Sequence, residues 1–287
     1  MRLQKTAVYV FLLYFCRFIS SNGKQEVPCI GGFISSTGAV PPKKTTLDYY
    51  QPIHQPITKD ETVAELLKRS EEATDEVGQP YVFNTFDLGV CMKALPLIWK
   101  FPEKYRKHIV IPGPFHTKMN YIGMLTKKKA AGSGYKEILL EAGLVTSGCL
   151  KSVISGKAFS KALFNLKATI EALERLLFEV FTEETNIEIR PDALLNVIRR
   201  LTRQELDIAL QDESTANLIQ TYQEFQSKVR CGYLGKTGIF WISFMDDAKL
   251  VFLLTFAVKT NNRRLFHKIN GMMADLFFAF DGQNYSR

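Results

Sequence analysis

Residues 81–117 read YVFNTFDLGVCMKALPLIWKFPEKYRKHIVIPGPFHT, and their punctuation decides the fold class. Tyr81 to Phe86 is a short run rich in aromatic and β-branched residues, which predicts a strand. Asp87 follows at once, and the apolar stretch from about Leu88 to Trp99 predicts a helix that Pro102 ends. His108 to Pro112 (His-Ile-Val-Ile-Pro) predicts a second strand, with Gly113-Pro114 and then His116 directly behind it. Strand, helix and strand in so short a span imply a parallel pair joined by a helical crossover.

The pattern extends in both directions. Upstream, Thr58 is placed to cap a helix, with Glu61 completing a capping box, Val63, Leu66 and Leu67 as its apolar stripe and Gly78 as its stop. Downstream, Thr117 is placed to cap a helix through Met119, Ile122 and Leu125 to the basic cluster Lys127 to Lys129. Residues 59–131 therefore read as an α/β region. Residues 28–58 carry Gly31-Gly32, Pro41-Pro42, Pro52 and Pro56 and read as a loop-rich segment, because proline lacks the amide donor a helix needs.

After Gly132-Ser133-Gly134 the pattern turns helical, so 132–287 reads as a bundle-like helical region. Its clearest element is Ala158 to Phe181. There Phe159, Leu163, Leu166, Ile170, Leu173, Leu177 and Val180 step by four and three, with Lys161, Lys167, Glu171 and Arg175 facing away. A packed core helix is the reading, with a coiled-coil seam as the alternative. Further helices are predicted at about 192–201, 203–228, 238–258 and 262–279. The stretch Ile239 to Val258 is nearly apolar enough to span a membrane, but Asp246, Asp247 and Lys249 at its middle make it a buried core helix. The two aspartates read as a polar face or as buried groups bonded to Lys or Arg. The fold class expected is α/β passing to mostly α, a short parallel strand layer in the N-terminal third followed by helices.

Composition narrows the function less. Lys and Arg outnumber Asp and Glu by 37 to 29, for a net charge of +8, which permits DNA or RNA as a partner without requiring it. Cys16, Cys29, Cys91, Cys149 and Cys231 are widely spaced and form no CxxC, so reduced, mostly buried thiols of an intracellular protein are expected. His54, His108, His116 and His267 are scattered and make no HExxH site. Gly132-Ser133-Gly134 lacks the lysine and spacing of a phosphate-binding loop, as does Gly156-Lys157. Residues 1–27 are a leader or a truncated start. The apolar run Thr6 to Cys16 behind a basic Met1 to Lys5 has the length of a signal-peptide core, which leaves secretion as the alternative to an intracellular, nuclear location.

Several short motifs stand one after another along the chain. They are Gly31-Gly32-Phe33, Gly78-Gln79, Thr85-Phe86-Asp87, Gly113-Pro114-Phe115-His116-Thr117, Gly132-Ser133-Gly134, Glu141-Ala142-Gly143, Ser147-Gly148 and Gly156-Lys157. Glu171 to Leu177, Phe240-Trp241, Phe277 to Asp281 and Asn284-Tyr285-Ser286-Arg287 close the set. Over about residues 28–287 the chain resembles an uncharacterised family encoded by transposable elements in invertebrate genomes, cnidarian and molluscan ones especially, whose members carry a domain of unknown function. Where those members continue from Gly-Lys with His, an aromatic and Arg, this chain has Ala158-Phe159-Ser160-Lys161. The resemblance also implies a chain truncated relative to its full-length relatives.

The strand–Asp–helix–strand–His order is similar to part of the ribonuclease-H-like core of P-element-type transposases. On that analogy Asp87 is a Mg²⁺ ligand, and His116 and Asp281 are further candidates for a catalytic role in a nuclease or transposase. The residues themselves argue the other way. Two-metal chemistry needs several converging carboxylates. Asp48 alone lies between Glu26 and Asp60, and the second strand ends in Pro-Gly-Pro-Phe-His. Asp87 also suits a helix N-cap. The expectation is a non-catalytic, element-derived interaction module for nucleic acid or protein with no cofactor, Mg²⁺ entering only under the nuclease alternative.

Overall fold

The computed structural model describes residues 47–185 and 211–280. Expectations for residues 1–46, the helix at 192–201, the start of that at 203–228, Asp281 and the closing Asn-Tyr-Ser-Arg motif fall outside them. In chain order the described elements are α1 (Asp60–Glu76), β1 (Val82–Phe86), α2 (Leu88–Lys100), β2 (His108–Pro112), α3 (Pro114–Met124) and a π-helical turn (Leu125–Lys129). They continue with α4 (Tyr135–Glu141), α5 (Ser147–Ile154), α6 (Phe159–Thr185), α7 (Glu213–Arg230), α8 (Gly235–Lys259) and α9 (Arg263–Ala279). A short parallel strand pair followed by helices is the class expected. The described residues fall into two compact units, one of 47–121 with 274–280 and one of 122–185 with 211–273.

In the strand-bearing unit β1 and β2 pair in parallel, with Val82 opposite His108 and Phe86 opposite Pro112. Helices α1 and α2 cover this pair. Val63, Leu67, Ala94 and Tyr105 form the core, and Phe86, Val90, Leu97, Ile98 and Val110 pack against it. Val63, Leu67 and Ala94 are fully shielded, and a buried leucine alone contributes about 1.5–3 kcal/mol. Pro96 lies inside α2 on an exposed position; it forgoes one helical amide bond, and the helix still runs to Lys100.

Two expected caps are displaced. Lys59, not Thr58, holds the N-cap position of α1 and makes no side-chain cap bond, while Asp60 and Glu61 place negative charge in its first turn. Thr117 lies inside α3, its hydroxyl donating to the Gly113 carbonyl at 3.1 Å. The helix begins earlier, at Pro114, because a first-turn proline gives up an amide with no helical partner anyway.

The second unit is built on long helices. α8 buries Ile242, Phe244, Met245 and Ala248, then every residue from Leu250 to Leu254. Burial of five consecutive residues means contact on all sides, which makes α8 the central helix. Among the described residues no helix is long and apolar enough to cross a membrane. On α6 the buried face is Ala162, Asn165, Leu166, Thr169, Ile170, Glu174, Leu177, Phe178 and Phe181, so the expected stripe is rotated: Phe159, Leu163, Leu173 and Val180 lie at its margins. In the described part of the expected helix at 203–228, α7 begins at Glu213, where Asp212 caps it by accepting the Thr215 amide at 3.1 Å. Gly123 is where α3 meets the end of α5; a Cβ there would stand 2.4 Å from the Ser155 carbonyl oxygen. The Thr126 hydroxyl lies 2.8 Å from both the Ile122 and Ile154 carbonyls at the same crossing.

Candidate functional site

The C-terminal ends of two parallel strands lie side by side, and in α/β folds this edge is where ligands usually bind. Here the edge holds Asp87 after Phe86 and Gly113-Pro114-Phe115-His116 after Pro112. The Gly113 amide donates to the Phe86 carbonyl at 2.7 Å, and a Cβ on Gly113 would come within 3.1 Å of that oxygen. The glycine therefore lets the second strand end close on the first.

Asp87 is the N-cap of α2. Its Oδ1 accepts the Val90 amide at 2.8 Å, satisfying one of the four amides that a helix start leaves without partners. His116 sits in the first turn of α3, half-buried, with its ring edge-on to Phe115 at 5.2 Å between centroids. Its carbonyl accepts the Asn120 side-chain amide at 3.0 Å. The strand pairing thus brings Asp87 and His116 to one edge, while Asp281 lies outside the described residues. Among the described residues no group of three or more His, Cys, Asp or Glu side chains is placed to hold a metal ion.

At the opposite edge, where the strands begin, lies a polar network that sequence reasoning missed. His108 Nδ1 is 3.1 Å from Asn84 Nδ2, and its Nε2 is 3.3 Å from Glu71 Oε2. An amide nitrogen only donates, so Nδ1 accepts and Nε2 carries the proton shared with Glu71. Lys107 lies 2.8 Å from Asp75 and 3.5 Å from Glu71, and these partners hold its ammonium above the usual lysine range, the Asp75 hydrogen bond most of all. The network ties β1, β2 and α1 together through these side-chain contacts. The usable signal was a histidine opening one strand and an asparagine within the other, two polar residues in otherwise apolar runs.

The helical unit holds two further clusters. Lys129, on the π-turn, bonds Asp247 and lies 2.8 Å from the Ser243 hydroxyl. Burial raises the Asp247 carboxyl above the ordinary range, and the Lys129 ammonium partly offsets it. Asp246 accepts two bonds from Arg230, at 2.9 and 3.0 Å. Both aspartates therefore meet cations, one largely buried and one at the surface. Glu174, only 3% exposed, accepts Lys249 at 2.5 Å and the Tyr222 hydroxyl at 2.8 Å, with Phe178 stacked on the Tyr222 ring. The visible trace of this cluster in the sequence was Lys249 within an apolar run.

Cys91, Cys149 and Cys231 are free thiols. Among the described residues Cys91 is buried, Cys149 half-buried and Cys231 exposed at the C-terminal end of α7, while Cys16 and Cys29 lie outside them. A cavity of about 410 Å³ lies between the 50–57 segment and α1, lined by Tyr50, Ile53, Ile57 and Leu66 with Arg69 at its rim. Its size suits a small molecule, but the Arg69 guanidinium is already met by Glu65 at 2.7 Å and the Gln51 carbonyl at 3.3 Å.

Residues 31–287 match the family described as a domain of unknown function (DUF8702), and the chain belongs to that family. No curated protein and no solved structure matches it.

Proposed function

We propose that this chain is a transposable-element-derived protein that catalyses no reaction of its own and acts as an interaction module for nucleic acid. The observation that carries the reading is the state of Asp87, whose carboxylate caps its own helix and stands apart from any cluster of metal-binding groups among the described residues. A net charge of +8 supports the partner class, because cations gain affinity by releasing counterions from a phosphate backbone. On this reading the protein works inside the cell, in the nucleus where its partner is chromosomal. Its element origin predicts terminal repeats in the flanking genomic sequence.

The test pairs binding with cleavage. Fluorescence anisotropy with labelled single- and double-stranded oligonucleotides should show binding at low salt that weakens as salt rises. Absence of binding at low salt would sink the reading. Incubation of the same oligonucleotides with Mg²⁺ or Mn²⁺ should leave them intact. Cleavage that disappears in Asp87→Ala would establish the alternative, a Mg²⁺-dependent nuclease with Asp87 as a ligand.

A further inference from the structure

We propose that the edge of the strand-bearing unit where the strands begin binds single-stranded nucleic acid, with bases stacking on Trp99, Phe101 and Tyr81 and phosphates meeting Lys100, Lys104 and Arg106. This rests on the nucleic-acid reading above and assigns it a place. Trp99 is 70% exposed, Tyr81 53% and Phe101 45%, large values for rings that otherwise stabilise a protein by burial. Topology brings them together. α2 runs back along the sheet and ends at Lys100, and the loop 101–107 returns the chain to β2. Tyr81 precedes Val82, whose amide donates to the Lys107 carbonyl at 2.9 Å, so it flanks the end of that loop.

Charge points to the occupant. Lys100, Lys104 and Arg106 are exposed, and none is in an ion pair among the described residues, whereas Lys107 beside them is held by Asp75 and Glu71. Glu103 is the one carboxylate in the loop against these three cations, and Glu71 and Asp75 on α1 are taken up by Lys107. Lys100 and Lys104 already sit 5.4 and 5.2 Å from the Phe101 and Tyr105 ring centroids. Cations interleaved with exposed flat rings are the arrangement that grips a strand through its phosphates while its bases stack. The same rings and cations would also seat on an anionic lipid surface, and the vesicle measurement below separates the two occupants.

The chain has two tryptophans, so Trp241→Phe leaves Trp99 as the sole indole reporter in the full chain. Titration with a single-stranded oligonucleotide should quench Trp99 emission and raise the anisotropy of the labelled strand. Trp99→Ala and Phe101→Ala should each weaken binding about tenfold. The triple change Lys100→Gln, Lys104→Gln and Arg106→Gln should cut the slope of log affinity against log salt by about two. All these side chains are exposed, and unchanged circular dichroism and thermal midpoint would confirm folded variants. If folded variants bind as tightly as wild type, the patch is wrong and the nucleic-acid reading survives. If wild type binds no oligonucleotide at low salt, both fall. If wild type instead binds vesicles of phosphatidylserine and phosphatidylcholine with a Trp99 blue shift and binds no oligonucleotide, the surface is for lipid and the proposal is overturned.

Discussion

The Asp87 carboxylate closes on the Val90 amide at 2.8 Å, so the most conspicuous acid of the strand-bearing unit is tied to its own helix. Asp87→Ala should then destabilise the protein by about 1 kcal/mol in urea titration, the usual cost of a lost N-cap. Asp87→Ser should recover most of that loss, because a hydroxyl oxygen also accepts the amide. Mg²⁺ at millimolar concentration should leave the thermal midpoint of wild type and both variants alike. A Mg²⁺-dependent rise confined to wild type would make Asp87 a metal ligand instead.

The Lys249–Glu174 pair should show its worth when broken. Lys249→Met leaves the Glu174 carboxylate buried inside the helical unit with the Tyr222 hydroxyl still donating to it, and should cost about 3–5 kcal/mol. Lys249→Met with Glu174→Gln should recover a large part of this, since the amide oxygen still accepts the Tyr222 hydroxyl while the stranded charge is gone. Urea unfolding of the single and double variants measures both. A double variant as unstable as the single one would show that packing of the lysine stem, not charge, dominates.

Gly123→Ala tests the α3–α5 crossing. The added methyl would meet the Ser155 carbonyl oxygen at 2.4 Å, and that atom is backbone, so the two elements must move apart. Overpacking of this kind costs about 1–3 kcal/mol, and separation would also strain the paired contacts of the Thr126 hydroxyl. Gly148→Ala is the control: nothing stands within 4 Å of its would-be Cβ. Thermal melts of the two variants should differ clearly, and equal midpoints would refute the close approach.

What the sequence made legible was local. Strand, Asp, helix, strand and Gly-Pro lie within one short span, so their order alone called for two parallel strands, whose register, Val82 opposite His108, only the structure shows. The pairings that define the interior join distant residues. Lys129 and Asp247 are 118 positions apart, and Glu174 and Tyr222 are 48 apart. For this reason the face of α6 was read one strip off. Counting apolar residues cannot assign Asn165, Thr169 and Glu174 to the inside, whereas helices packed from several sides can. Asp87 was readable both as a cap and as a ligand, because both uses need a carboxylate just after a strand.

Alkaline pH should unfold the protein through groups unrelated to any catalysis. Burial, helped by the charge of Asp87, lifts the Cys91 thiol from an ordinary 9.0 to about 11. Burial likewise lifts the Tyr135 hydroxyl from 10.0 to about 12, and burial with Glu174 beside it lifts Tyr222 well above 10.0. In each case the unfolded chain gives up its proton first, so above pH 9 it binds fewer protons than the native chain. Stability from these groups is therefore full below about pH 9 and falls from there toward about 12. Urea midpoints measured between pH 7 and pH 11 should stay level and then drop, and Tyr222→Phe should flatten the drop while lowering the neutral-pH midpoint by the lost hydrogen bond, about 1 kcal/mol. The thiols give an independent check by mass-resolved alkylation at pH 8, where exposed Cys231 should react in the native protein and Cys91 only after unfolding. Native-state labelling of Cys91 at the rate of Cys231 would show that the core beneath α2 is open.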